Sequence, residues 1–433
     1  KLIDDAIANG ANCILLEKNA SIKPEVTYIW VEDVVDAIAY LSSKFYNEPS
    51  KNLDIIGVTG TNGKTSTTYL IKSILDVNNI YTGLMGTMGI NINDEKTDTI
   101  NTTPDPIVIN SSMDKMVKSN LNACVMEVSS HALDFKRVEY IDFSVGVFTN
   151  LSKDHLDYHK TMENYFKSKL KLFYKTSKCN IINIDDKSGK EILKHIGNRI
   201  DIITYGIENK ADVYATEIEY SIDKVKFVLN YGTNKEEISL NLPGKFNIYN
   251  ALAAASCGIV YNLNLKQIKI GLEKLEHVKG RVEVVETNKD FSVIIDFAHT
   301  PDGLENVLNS IKQFSEGRII VVFGAGGNRD KTKRPEMGRI VGTYSDYAIV
   351  TSDNPRYENP EKIIEEIKIG VKETKAECRT IVDRKEAIEY ALSIAKAKDI
   401  ILLAGKGHET YTIIKDKTYP CNEREIVLNY LKK

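Results

Sequence analysis

Residues 53–68 read Leu-Asp-Ile-Ile-Gly-Val-Thr-Gly-Thr-Asn-Gly-Lys-Thr-Ser-Thr-Thr, placing an apolar strand, a glycine turn, a Lys-Thr pair and a helix start in one unbroken run. A chain that makes this turn builds a seat for a nucleoside triphosphate. Backbone amides around residues 60–63, aimed outward by the positive end of the following helix, can cradle phosphate oxygens. The Lys64 ammonium is then placed to bridge the terminal phosphates, and the Thr65 hydroxyl to ligate Mg²⁺. Gly60, Thr61, Asn62, Gly63, Lys64, Thr65 and Ser66 are the candidate nucleotide contacts. The spacing is GxxGK[ST], tighter than the common phosphate loop, because Val58 stands five positions before Gly63. A plain glycine turn capping a helix is the competing reading of this stretch by itself.

Length and composition bound what surrounds that seat. The 433 residues correspond to about three domains, and 42% hydrophobic residues can give each its own core. A net charge of −3 with 27% charged residues argues against nucleic-acid binding, which needs a basic face. Cys13, Cys124, Cys179, Cys257, Cys378 and Cys421 lie far apart with no CxxC pair, so neither a zinc site nor a disulfide framework is indicated and a reducing cytoplasm fits. No stretch reaches the ~18–20 apolar residues of a membrane span and no basic, apolar leader opens the chain, so membrane insertion and secretion are not expected. The first residue is Lys1 rather than Met, and the natural N-terminus is expected to lie upstream.

Periodicity divides the chain into three parts. Residues 1–48 carry a helix over 2–9, a strand over 13–16 and a helix over 31–45, the pattern of a partial N-terminal α/β domain. After the polar break at 48–52, residues 49–280 alternate strands and helices as in a doubly wound parallel sheet, with strands at 55–59, 123–128, 143–149 and 181–184. Within this part, period-2 runs at 213–220 and 225–229 predict attached antiparallel hairpins, and residues 244–261 return to helix. Residues 281–433 restart the alternation as a second, Rossmann-like α/β domain. Its strands are expected at 293–297, 319–323, 348–351 and 400–404, and its helices near 304–314, 361–371 and 384–395.

Two strand exits in the central part carry chemistry. The apolar run 123–126 ends in Glu127, a carboxylate that a phosphate-loop architecture sets beside the nucleotide, where Mg²⁺ needs oxygen ligands. A strand-end Glu paired with a lysine is the alternative. The segment 148–159 follows another apolar strand and gathers His155, His159, Asp154 and Asp157 just past its end. Taken singly, each of these histidines also fits a solvated or structural role.

Several runs together resemble the Mur ligase family: GTNGKTST at 60–67, EVSSHAL at 127–133, TNLSKDHLDYH at 149–159, LPGKFNIYNALAA at 242–254, DFAHTPDGLE at 296–305, FGAGGNRDKTKRPEMG at 323–338, DNPR at 353–356 and AGKGHE at 404–409. They occur in order over nearly the whole chain. The resemblance implies a three-domain ligase in which ATP phosphorylates a carboxylate, an amine attacks the acyl phosphate, and a tetrahedral intermediate collapses to amide, ADP and phosphate. It implies two Mg²⁺ ions, with Lys64, Glu127, His155 and Lys169 as catalytic residues and Thr65, Glu127, His155 and Lys169 as metal ligands. Lys169 aligns with a family lysine that CO₂ carbamylates, a change that turns a cation into a carboxylate-like ligand. Read from its own surroundings, flanked by Lys167 and Lys171, it is a solvated helix residue.

The same resemblance assigns Asn247 and Asn250 to the adenine side of ATP, although helix capping also explains them. It assigns Thr102, Thr103, Ser129 and Arg137 to a UDP-N-acetylmuramoyl dipeptide, the acceptor. Phe135 stands where some relatives place a polar contact. A family segment that helps to bind uridine lies ahead of Lys1. Arg329, Asp353, Asn354, Pro355, Arg356, Gly405 and Glu409 match the pocket of the incoming amino acid. A guanidinium grips a carboxylate through two parallel bonds and Glu409 can receive an ammonium, so the pocket suits meso-diaminopimelate. In the family the arginine of DNPR marks diaminopimelate-adding members, and lysine-adding ones lack it. A proline turn after a strand is the plain reading of that tetrapeptide. The expected protein is a cytoplasmic monomer using ATP and Mg²⁺, with no nucleic-acid or membrane partner. The rivals are a lysine-adding homologue, a folylpolyglutamate synthetase-like ligase, a noncatalytic nucleotide-binding module, and a dinucleotide fold resting on residues 324–327, which lack the GxGxxG order.

Overall fold

The computed structural model describes residues 2–17 and 22–432. At its centre lies an eleven-stranded mixed sheet. From one edge its strands run Asn234–Leu240, Val225–Tyr231, Val213–Tyr220, Asp201–Gly206, Thr176–Asn183, Phe143–Phe148, Asp54–Thr59, Ala123–Glu127, Thr82–Gly86, Gly89–Ile92 and Glu95–Thr97. The middle strands pair in parallel and the outer ones antiparallel. Asp54–Thr59, Ala123–Glu127 and Phe143–Phe148 are apolar almost throughout because helices cover both faces. Lys64–Val77, Lys245–Val260 and Leu265–Lys274 bury their apolar residues in the core on one face. Pro106–Lys118, Met162–Tyr174 and Lys187–Ile196 do so on the other. Asp54–Thr59 lies between Ala123–Glu127 and Phe143–Phe148, so all three carboxyl ends open into one crevice, the place where open α/β sheets bind ligands.

A second sheet of six strands follows, in the order Glu283–Val285, Ser292–Asp296, Ile400–Ala404, Ile319–Phe323, Tyr347–Val350 and Glu377–Thr380. All pairs are parallel except the first. Near the N-terminus, Cys13–Leu16 and Thr27–Trp30 form a two-stranded parallel ribbon. The helix expected from residue 31 starts instead at Val34, because the Asp33 side chain accepts from the Asp36 amide and sets the cap there. Tyr40 of this helix meets Tyr140 of the central domain edge-on, with centroids 5.4 Å apart. Among the described residues no helix is long and apolar enough to cross a membrane.

The helix Lys333–Tyr344 contains the fully buried Arg334, which forks onto Glu358 with both distances 3.0 Å and reaches Glu366 at 2.7 Å. Removing one partner of a buried pair leaves the others uncompensated, so Arg334→Ala is expected to cost about 3–5 kcal/mol in denaturant melts. Hydrogen bonding from Arg334 is the main influence holding the Glu358 carboxyl down, to about 2 from an ordinary 4.5. A depressed carboxyl stabilises the fold above its unfolded value and loses that contribution as pH falls through the folded one. Thermal melts of the wild type should therefore drop between about pH 4.5 and 2, and the arginine-free variant should show less of that drop.

Candidate active site

The phosphate-loop turn is set by Gly63, whose φ of 85° caps the helix Lys64–Val77. A Cβ there would come 2.4 Å from Asn250 Oδ1, so the position admits only glycine. The loop is pinned to the next strand exit. Thr61 N donates to Asn150 O at 2.9 Å, and Asn62 N donates to Asn150 Oδ1 at the same distance. Thr149 Oγ1 donates to Asn62 O at 2.7 Å. The Lys64 ammonium folds back onto Gly60 O (2.9 Å) and Thr61 O (2.7 Å), and burial pulls its pKa down. First-turn amides of a helix have no intrahelical acceptor, which leaves them for an anion.

Thr65 Oγ1 donates to Glu127 Oε1 at 3.0 Å, joining the loop to the neighbouring strand end. Glu127 also accepts from Thr87 N (2.9 Å) and from Thr87 Oγ1 (3.1 Å). Lys169 is not a solvated helix residue. It is 2% exposed, its Nζ donates to Gly60 O at 2.8 Å, and it lies 4.6 Å from the Tyr165 ring centroid. Burial first and Lys64 second hold it well below the usual lysine range. His155 takes a left-handed conformation (φ 53°) next to Asp154, with its ring 4.8 Å from His131 and 6.1 Å from Tyr165. Its side chain is 45% exposed, and the crowding of protein around the ring still lowers its pKa despite the Asp154 carboxylate. Among the described residues no three His, Cys, Asp or Glu side chains form a ready metal cage.

Between this loop and the C-terminal sheet lies a cavity of about 340 Å³. Asn62, Gly63, Thr65, Ser66 and Asn250 line one side, and Phe297, His299 and Asp302 the other; Tyr205, Phe246 and Tyr249 supply aromatic surface. Asn250 thus reaches the cavity. Asn247 stands behind it, donating to Pro243 O at 2.8 Å and accepting from Asn250 Nδ2 at 2.9 Å.

The acceptor candidates gather beside Glu127. Thr103 Oγ1 donates to Glu127 O (2.8 Å) and accepts from Ser129 N (3.0 Å), and Arg137 Nη1 donates to Thr103 O (2.9 Å). Thr103 is fully buried, so its hydroxyl shapes this corner from within. Thr102 Oγ1 lies 3.1 Å from Thr87 Oγ1, and Ser129 caps the short helix Ser130–Asp134.

The candidate residues for the amine pocket gather on the loop after Tyr347–Val350. Arg356 Nη1 donates to Gly327 O at 3.0 Å. Its guanidinium is destabilised by burial and then by Arg329, so two cations share the pocket. Across it, Glu409 accepts from Asn354 Nδ2 at 2.9 Å, and burial raises its carboxyl. Gly405 follows the strand Ile400–Ala404 and lies against Asp353. Asp353 is turned inward beneath the pocket, 4.0 Å from Arg384 and accepting from Asn354 N at 2.6 Å. Pro355 contributes its carbonyl, which packs against Gly327 where a Cβ would approach to 1.9 Å.

Residues 58–258 match the Mur ligase middle domain, and residues 280–407 match the Mur ligase glutamate ligase domain. The chain belongs to the Mur ligase family. It is 48% identical over 431 residues to the UDP-N-acetylmuramoyl-L-alanyl-D-glutamate–2,6-diaminopimelate ligase of Caldanaerobacter subterraneus subsp. tengcongensis, covering 99% of this chain and 88% of that protein. It is 47% identical to the ligase of the same name from Alkaliphilus oremlandii over 432 residues, with coverages of 100% and 88%. A solved structure of a ligase so named superposes with a TM-score of 0.69 at 31% identity, covering 99% of this chain and 88% of that one. Folylpolyglutamate synthase of Mycobacterium tuberculosis complexed with ADP shares the fold alone, with a TM-score of 0.73 at 16% identity over 86% of this chain and 92% of that one.

The structure of this Mur ligase also brings to the candidate site residues that sequence reasoning passed over. Arg281, read only as a domain junction, is half-buried. It donates from Nη2 to Thr65 Oγ1 at 3.2 Å and lies 4.7 Å from the Phe297 ring centroid. Lys406 is fully buried and links Asn354 Oδ1 (3.1 Å) to Glu409 (3.5 Å). His131 stands between His155 and Tyr158, whose ring centroid is 4.7 Å away. A charged or histidine residue within a run such as AGKGHE was the available signal for Lys406 and His131; nothing local marked Arg281.

Proposed function

We propose that this Mur ligase adds meso-diaminopimelate to UDP-N-acetylmuramoyl-L-alanyl-D-glutamate, driven by ATP through an acyl phosphate. The observation that carries the reading is the pairing of Arg356 and Arg329 opposite Glu409 in one pocket, in a chain nearly half identical to proteins named for this reaction. Diaminopimelate has a distal carboxylate for the guanidiniums and an ammonium for Glu409. Lysine lacks that carboxylate and leaves the half-buried Arg356 guanidinium, already disfavoured by Arg329, without an anion.

The first-turn amides, Lys64 and Arg281 would receive the phosphates of ATP, while Asn250 and the aromatic surface hold its nucleoside part. Thr102, Ser129 and Arg137 would hold the acceptor with its carboxylate toward the terminal phosphate. The amine then attacks the activated carbonyl, the carbon–nitrogen bond forms, and phosphate departs with the carbon–oxygen electron pair. Thr65 and Glu127 offer hard oxygens side by side, the partial set that Mg²⁺ takes together with phosphate oxygens. His155 and a carbamylated Lys169 would hold a second ion; burial disfavours the Lys169 ammonium, and the neutral amine is the form that combines with CO₂. Mg²⁺ bound there would neutralise phosphate charge during transfer.

The proposed domains are residues 1–48 for the UDP substrate, 49–280 for ATP and 281–433 for the amino acid. The six cysteines are free, in line with action in the cytoplasm, and the reading takes the protein to act as a monomer. In a phosphate-release assay with ATP and the UDP-muramoyl dipeptide, meso-diaminopimelate should support turnover at least ~100-fold better than L-lysine, since leaving a site's polar groups unpaired is heavily penalised. Equal turnover with lysine would defeat the specificity claim. No turnover with any amino acid would favour a noncatalytic nucleotide-binding role.

A further inference from the structure

Asp302 is the second residue of the helix Pro301–Lys312 in the C-terminal domain, yet its carboxylate serves the central domain. Its Oδ2 accepts from Asn62 Nδ2, in the phosphate loop, and from Ser152 Oγ at 3.0 Å, in the loop that leads to His155. The Asn62 backbone is already fixed by Thr149 and Asn150 within its own domain, so its side chain is the part left to reach across. Asp302 also borders the nucleotide cavity, where burial raises its carboxyl and the two donors hold it back. Besides this pair, Arg281 touches Thr65, and Lys153 approaches Glu336 to 3.8 Å at an exposed site worth little.

We infer that Asp302 is a positioning residue: a clasp that seats the C-terminal domain on the phosphate loop and so brings the amine pocket to the activated carboxyl group. This rests on the ligase reading above. Each half-site is formed by its own domain, with Lys64, Glu127 and Lys169 on one and Arg356 and Glu409 on the other. Transfer then depends on how closely the two are docked, and a misplacement of about 1 Å can cost ~100-fold in rate. The clasp acts on the second half of the reaction, amide formation, rather than on activation of the carboxylate.

Hydroxylamine separates the halves. It is small, needs no pocket, and captures an acyl phosphate as a hydroxamate, its nitrogen forming the bond to carbon while phosphate leaves. At saturating ATP, Asp302→Ala should lose at least ~10-fold more in kcat for amide formation with meso-diaminopimelate than in hydroxamate formation, whatever it does to the affinity for ATP. Asp302→Asn keeps an acceptor oxygen for both donors and should recover most of the loss. Ser152→Ala, which removes one bond from the other side, should show the same split to a smaller degree. In solution X-ray scattering, ligand-free Asp302→Ala should have a larger radius of gyration than wild type. Equal loss of hydroxamate and amide, an asparagine variant no better than alanine, or unchanged scattering would overturn the clasp. If wild type itself forms neither product the ligase reading fails, and the scattering comparison still decides whether Asp302 closes the domains.

Discussion

Lys169→Ala is expected to lower ligation by ~10²–10³-fold, the scale seen when one preorganised group that stabilises developing charge is removed, and acetate or another small carboxylic acid is expected to restore part of it. The argument starts from burial. An ammonium enclosed at 2% exposure with Lys64 as its charged neighbour, and with one hydrogen bond to Gly60 O, is poorly stabilised as a cation. As a neutral amine it can add to CO₂, lose a proton and become an anion, which suits the same site better. The alanine variant leaves a space beside the phosphate loop that a carboxylate can enter. Lys169→Arg should be equally inactive but immune to rescue, since the guanidinium stays charged and fills the space. Full activity of Lys169→Ala would reject the carbamate role.

Arg356→Gln is expected to raise KM for meso-diaminopimelate ~30–200-fold, the equivalent of the roughly 2–3 kcal/mol that a charge-assisted pair supplies. One of the guanidinium's donors is occupied by Gly327 O, and Arg329, Asp353 and Glu409 are the charges that act on it. Arg356→Lys should not recover the loss, because an ammonium cannot present the same planar fork. Turnover with lysine should change little, so the ratio between the two amino acids narrows. Steady-state kinetics with both amino acids measure this, and an unchanged ratio would remove Arg356 from the specificity determinants.

Legibility in the sequence followed the range of the interaction. The strands Asp54–Thr59, Ala123–Glu127 and Phe143–Phe148 are buried on both faces and so read as continuous apolar runs. The loop between Gly60 and Thr65 was readable for the same local reason. Thr82–Gly86, Gly89–Ile92 and Glu95–Thr97 were not found, since their glycines and polar residues carry no alternation and their place is fixed by contacts such as Thr87 with Glu127. The helix Lys333–Tyr344 escaped because it is anchored by the buried charge of Arg334 instead of an apolar stripe. Lys169 needed its family likeness to be noticed at all, as its neighbours Lys167 and Lys171 are charged. Arg281 and Asp302 act across a domain boundary, and no pattern within their own segments records the partner.

The central claim is that the acceptor's carboxylate is phosphorylated before the amine arrives. An acceptor carrying oxygen-18 in the D-glutamate side-chain carboxylate tests it directly when phosphate released during ligation is examined by mass spectrometry. The mechanism predicts one labelled oxygen in each phosphate, because the carboxylate oxygen becomes the bridge that breaks. Unlabelled phosphate alongside normal amide formation would contradict it.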